Sequence, residues 1–206
     1  MKYLSFTKVG QFIRWLVVAV IILYIALVIY RIPAMGEKQK TADAVAEIHA
    51  QKITLRDVMG ENLPAVPDVA QNSATVAGID ANHNGIRDDI ELVIFKKYSN
   101  SAKIRAAELQ YALALQVEME KVFNSDTWVA AAQEDDRGYQ CLGQTYPRTD
   151  ITKALSVLEA RSKEVQDLVF NTQLRKDAYE KVSQFTTSYG LNDTTYCTIN
   201  LASLPN

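Results

Sequence analysis

Cysteine is almost absent from this chain: its 206 residues hold two, Cys141 and Cys197. At most one internal disulfide is available. Histidine is as scarce, and neither His49 nor His83 has a partner at a spacing that suits a metal pair or a catalytic triad, so each reads as a plain surface residue. Glycine and proline are few, at 8 and 5, while alanine is abundant, a balance that leans towards helices. Neither sign of charge dominates. The 22 basic and 24 acidic residues are interspersed and leave a net charge of −2, so the basic face that nucleic acid requires is missing. There is no G-x-S-x-G, no H-E-x-x-H and no glycine-rich phosphate loop, which removes the common signatures of hydrolases and nucleotide enzymes. No internal repeat, low-complexity tract or sustained β alternation is present.

What is present first is a long apolar run, "WLVVAVIILYIALVIY", from Trp15 to Tyr30. With Phe12, Ile13 and Ile32 it approaches the length that crosses about 30 Å of hydrocarbon. Trp15, Tyr24 and Tyr30 suit the interfaces, and Arg14 and Arg31 can extend to the two surfaces. We read residues 12–32 as an uncleaved transmembrane anchor. The competing reading is a cleaved signal peptide with "AMG" at Ala34–Gly36 as the processing site. Lys2, Lys8 and Arg14 precede the span and Arg31, Lys38 and Lys40 follow it, so basic residues alone leave the orientation open. The short N-terminus, residues 1–11, favours a cytoplasmic start and a translocated main domain. Beyond the membrane the oxidising compartment would join Cys141 to Cys197, whereas two buried thiols are the bland alternative. The bridge would close a loop of about 57 residues, roughly 4 kcal/mol on the loop-entropy model.

The remaining chain, roughly 165 residues, suffices for one domain with its own core. Pro33 is expected to end the membrane helix, "AMGEKQK" to form a linker, and Thr41 to cap a short helix carrying Val45 and Ile48 that ends near Lys52. Residues 33–77 thus read as a juxtamembrane helix followed by an extended connector, Gly60–Ala74. Residues 78–206 read as helical. "IELVIFKKY" is apolar on more than one side and is expected at the centre of the core. From Ala102, apolar residues recur at threes and fours through Ile104, Ala107, Tyr111, Leu115, Met119 and Val122. Asn124–Asp126 offer a break and a cap for a helix from Thr127 to Cys141. Asp150 or Thr149 can cap the next, where Ile151, Leu155, Leu158, Val165 and Val169 follow a near-heptad spacing with Ser162 in the missing place. Leu174, Ala178, Val182, Phe185 and Tyr189 mark a last helix ended by Gly190. The expected fold is therefore all-α: one transmembrane helix and a compact bundle of about five helices.

The distinctive stretch is "GIDANHNGIRDDIEL", Gly78–Leu92. Asp80, Asn82 and Asn84 alternate, Gly85 follows where the chain must turn, and Asp88 and Glu91 close the run. These residues match D-x-[DN]-x-[DN]-G-x5-E at every defined position, so the stretch resembles an EF-hand calcium loop. That resemblance implies calcium as the cofactor. It also implies ligands from Asp80, Asn82, Asn84, the Ile86 carbonyl, Asp88 directly or through water, and both oxygens of Glu91. EF-hands usually carry an aliphatic eighth residue that pairs with a second loop. Here that place holds Arg87 and the chain contains no second loop, as in the lone calcium loops of extracellular modules. The segment is also similar to one in uncharacterised bacterial envelope proteins, a likeness that implies a location and no activity. The competing reading of the loop is an Asn-Gly turn that opens an acid-capped helix.

Taken together, the sequence points to a single-pass protein of the bacterial inner membrane with its main domain in the periplasm. A structural calcium ion and a binding or scaffold role towards another protein are expected, with no enzymatic site favoured. The rivals are an envelope hydrolase using Glu134, Asp135 and Asp136, and a calcium-responsive regulator. "EDDR", Glu134–Arg137, otherwise reads as a solvated face, and the tyrosines Tyr139, Tyr146, Tyr189 and Tyr196 as half in the core.

Overall fold

A computed structural model describes residues 6–191 and 195–205, with the side chains of residues 6–8 left aside. The sequence-expected cytoplasmic stretch 1–11, including Lys2, lies partly outside these residues. The described chain is helical, with no strand among its described residues. Its eight α-helices are α1 (Phe6–Ala50), α2 (Leu55–Met59), α3 (Val69–Ser73), α4 (Asp88–Lys97), α5 (Ala102–Lys121), α6 (Ser125–Gly143), α7 (Ile151–Val169) and α8 (Gln173–Val182). The chain divides into two compact units, Met1–Asp43 and Ala44–Asn206.

The first unit is the greater part of α1. Its most apolar window has a mean hydropathy of 2.8 and none of that window is buried. By length and composition this helix can cross a membrane. Pro33 does not end it: the helix continues through Pro33 as far as Ala50. Proline removes one backbone hydrogen bond and crowds the preceding turn. Here the helix formers Ala34, Met35, Glu37, Lys38, Gln39 and Lys40 follow at once and carry the helix on. "AMGEKQK" is therefore helical rather than a linker. Thr41 lies inside a turn and donates its hydroxyl to the Glu37 carbonyl at 2.9 Å, where a separate cap was expected.

The second unit is built around α5. This helix packs against α2, α4, α6, α7 and α8, and from Arg105 to Met119 every residue is buried. The expected central position of α4 is thus a correction. α4 buries Ile90 and Ile94 but leaves Val93 40% exposed. The stripe of α5 is legible in the sequence but its enclosure on all sides is not, because Arg105, Glu108, Gln110, Gln116 and Glu118 interrupt its apolar pattern, yet all five are buried. The Arg105 guanidinium donates to Val58 O, Tyr98 O and Ser99 O.

Six of the helices start at a local side-chain cap, whereas α4 starts at Arg87 without one. Thr54 caps α2 in a reciprocal box with Asp57, Asp68 caps α3, Ser101 caps α5, and Asn124 caps α6 with Thr127. Asp150 and Thr172 cap α7 and α8. Such caps satisfy backbone donors that a helix leaves open and contribute about 1 kcal/mol each. The connector Gly60–Ala74 is not wholly extended, since α3 lies within it. The stripe of α7 is buried only in its second half. Ser162, Val165 and Val169 are buried, whereas Ile151 and Leu155 are 59% and 53% exposed. The last helix is shorter than expected. α8 stops at Val182, a single 3-10 turn follows to Phe185, and Gly190 lies in irregular chain. Thr186, Thr187 and Ser188 compete for backbone hydrogen bonds and do not extend a helix.

Cys141 and Cys197 are joined in a disulfide, which ties the end of α6 to the C-terminal segment. Gln110 of α5 reinforces the tie. Its side-chain amide donates to Tyr196 O and accepts from Thr198 N–H, both at 2.8 Å.

Candidate metal centre

The Asp80–Glu91 loop is folded on itself by its own side chains. Gly85 adopts φ +87°, in the left-handed region where a Cβ is disfavoured, and His83 adopts φ +57° with its side chain exposed. Asp80 accepts the Asn84 N–H at 3.2 Å and the Gly85 N–H at 2.8 Å. Asn82 accepts the Asn84 N–H and Asn84 accepts the Ile86 N–H, which makes two consecutive side-chain turns. Asp88 opens α4, accepts the Ala81 N–H at 3.0 Å and donates its own N–H to Ile79 O at 2.9 Å.

Glu91 closes the loop from one turn further along α4. Its two oxygens accept from the Asn84 amide at 2.7 Å and the Asn82 amide at 2.9 Å. The structure therefore brings Asp80, Asn82, Asn84, Asp88 and Glu91 into one contact network, with Ile86 buried beneath it. Glu91 and Asp88 are each 1% exposed. Burial pushes the Glu91 carboxyl up to about 7. The Asn84 and Asn82 amides oppose that shift, while Asp57 and Asp88 add to it. Burial also raises Asp88, against the pull of the Ala81 N–H and with a further push from Asp80 and Asp89.

Two other segments reach the loop, and neither is announced by a sequence pattern. Asn62 in the connector takes the second hydrogen of the Asn82 amide on its carbonyl at 3.0 Å. Gln51, just past the end of α1, lies where a Cβ on Gly85 would fall. Neither relation follows a local spacing, so no sequence period could announce them.

Whether these residues suit a divalent cation is a question of donor chemistry. Among the described residues, no three histidine, cysteine or acid side chains form a group that could hold a metal ion. The loop instead offers oxygens of mixed kind: carboxylates of Asp80, Asp88 and Glu91, amides of Asn82 and Asn84, and the Ile86 carbonyl. That mixture fits a hard cation such as calcium, which takes six to eight oxygens. Both asparagines turn nitrogen towards Glu91. Turning their oxygens to that side instead requires a half-turn of each amide, which gives up the Asn84 and Ile86 N–H contacts and the Asn82 donation to Asn62 O.

The acidic run on α6 is dispersed. Successive helix positions point about 100° apart. Glu134 meets His49 at 2.9 Å and Lys52, so His49 is paired rather than merely solvated. Asp135 faces α5, where Glu118 acts on it, and its Oδ1 is buried without a hydrogen-bond partner. Asp136 accepts the Tyr189 hydroxyl at 2.6 Å. A cavity of about 10 Å³ beside Glu134 has no other acid in its lining and is sized for a single water. The three acids of the hydrolase reading therefore do not converge.

Comparison with known proteins returns no family model, no curated protein and no solved structure that matches the chain.

Proposed function

We propose that this is a membrane-anchored helical domain that binds one calcium ion at Asp80–Glu91 and serves as a binding or scaffold component of a bacterial envelope complex. The observation that carries the reading is the buried Glu91 carboxylate, gripped by the Asn82 and Asn84 amides with Asp88 and Asp57 close by. Several acids held out of water in one place require positive charge to ionise together. Calcium would supply it, with Asp80, Asn82, Asn84, the Ile86 carbonyl, Asp88 and Glu91 as its ligands. The ion's role is structural, fixing α4 against the connector.

The location rests on two features: α1 is long and apolar enough for an inner-membrane anchor, and the Cys141–Cys197 bridge suits the oxidising periplasm. A protein partner is supported by α2 and the connector, where Leu55, Met59, Leu63, Val66 and Val69 remain between 42% and 83% exposed. Apolar side chains left to solvent at such density suit a binding surface.

Calorimetric titration of the full chain in detergent micelles tests the ion. One site is expected, at an affinity of the order of 10⁻⁴ to 10⁻³ M. It should vanish in the Asp80→Ala/Glu91→Ala double variant. Absence of heat and of any calcium-dependent rise in melting temperature in the wild type would reduce the loop to an acid-capped turn.

A further inference from the structure

The loop lacks the second loop that an EF-hand pairs with, and the structure shows what stands in that place. The eighth residue is Arg87, fully buried at 0% exposure. Its backbone N–H, the group that would face a second loop, donates to Gln116 Oε1 at 3.1 Å. Gln116 projects from α5, is 3% exposed, and donates its own amide hydrogen to Ala77 O at 3.4 Å, on the strand of chain entering the loop. One side-chain amide thus accepts from the loop and donates to the segment leading into it, as a paired backbone would.

The Arg87 side chain completes the arrangement. Its guanidinium pairs with Asp89 at 2.5 Å and donates to Leu168 O at 2.8 Å and Val169 O at 3.2 Å. Those carbonyls belong to the last turn of α7, where a helix leaves acceptors open and favours positive charge. An aliphatic eighth residue could do neither. The departure from the EF-hand pattern at Arg87 therefore has a purpose within this fold.

We propose that Gln116 is the positioning residue that replaces the partner loop, so that a single loop binds calcium in a monomeric domain. The proposal rests on the calcium reading above. Gln116 touches no ligand side chain. It fixes the backbone between the Ile86 carbonyl and Asp88, two groups assigned to the ion. Groups that orient ligands from outside the coordination sphere typically set affinity by about 10- to 100-fold.

The test uses the full chain in detergent micelles, titrated with calcium chloride, with melting temperature recorded with and without the ion. Gln116→Leu should weaken binding by about tenfold or more. The calcium-induced rise in melting temperature should shrink to match. Gln116→Glu keeps an acceptor for the Arg87 N–H and should bind within the same decade as wild type, a second variant that serves if the leucine variant does not fold. A merely structural role lowers the melting temperature with and without calcium equally and leaves the rise unchanged; that result overturns the proposal. So does calcium binding seen only in a dimer. If wild type binds no calcium, the calcium reading itself fails and this proposal with it. If wild type binds and the folded leucine variant binds equally well, only the role of Gln116 falls.

Discussion

At Gly85 the backbone conformation and the packing make the same demand. Its φ of +87° is one that side-chain-bearing residues rarely adopt, and a Cβ there would run into the Gln51 amide and lie 2.9 Å from Leu113 Cδ1. Both costs fall on any substitution. Gly85→Ala should lower stability by about 2 kcal/mol, the range of a strained backbone plus a displaced neighbour. Gly190→Ala is the control, because nothing lies within 4 Å of a Cβ there and its φ is not left-handed. Urea unfolding of the two variants in the presence of a chelator separates them. Equal midpoints would show that the loop does not hold this turn when folded. Buried arginine is the other lesson at this scale. Arg175 is 0% exposed and holds three carbonyls, Asn72 O, Thr75 O and Val76 O, so that α8 grips the approach to the loop. A single arginine among many carries no mark in the sequence of being enclosed.

Helix α7 shows how an apolar stripe and a buried face part company. Its near-heptad spacing is regular, yet its buried residues, Ser162, Val165 and Val169, all lie in its second half. Ile151→Lys with Leu155→Lys should therefore change stability by no more than about 0.5 kcal/mol, as exposed sites do. Val165→Ala, at 0% exposure, should cost about 2 kcal/mol. Thermal unfolding of both variants decides the matter, and a large loss from the lysine pair would mean that the first half of α7 is covered. The same contrast explains what was legible in the sequence. Helix starts were readable where a side chain caps its own backbone, as at Asn124 and Asp150, because the device spans three residues. The tight turn at Gly85 was readable because it too is set by residues close along the chain. The centrality of α5 was not. Its buried Gln110 and Gln116 answer to partners far along the chain, and a period-based reading counts them as surface. Pro33 misled in the opposite sense, since a local rule predicted a stop that good helix formers on its far side override.

At the scale of the whole domain, α5 places acids in the core with little to offset them. Glu108 is 1% exposed and its Oε1 has no hydrogen-bond partner; burial, the largest cause, pushes its carboxyl from 4.5 up to about 7. Glu118, 5% exposed, is raised to about 7 by burial, against a hydrogen bond from Trp128. Asp135 is raised by burial and then by Glu118. In the unfolded chain these acids ionise at their ordinary values, so between about pH 4.5 and 7 the folded state holds protons that the unfolded state has released. A raised acid contributes stability that is complete below the unfolded value and is lost as pH rises through the folded one. The domain should therefore lose stability on going from about pH 5 to about pH 8, by something of the order of 3 kcal/mol per fully buried acid. Asp89 is shifted the other way: burial raises its carboxyl, but the pull of Arg87 outweighs it and leaves the net value below 3.8, so its contribution disappears only in stronger acid, outside this window. Urea unfolding at several pH values with a chelator present measures the slope. Glu108→Gln, which removes one titrating group and keeps its shape, should flatten it. A stability that stays level or rises across the interval would mean that these carboxylates are solvated or paired in the folded domain, and that α5 is not the closed centre the packing describes.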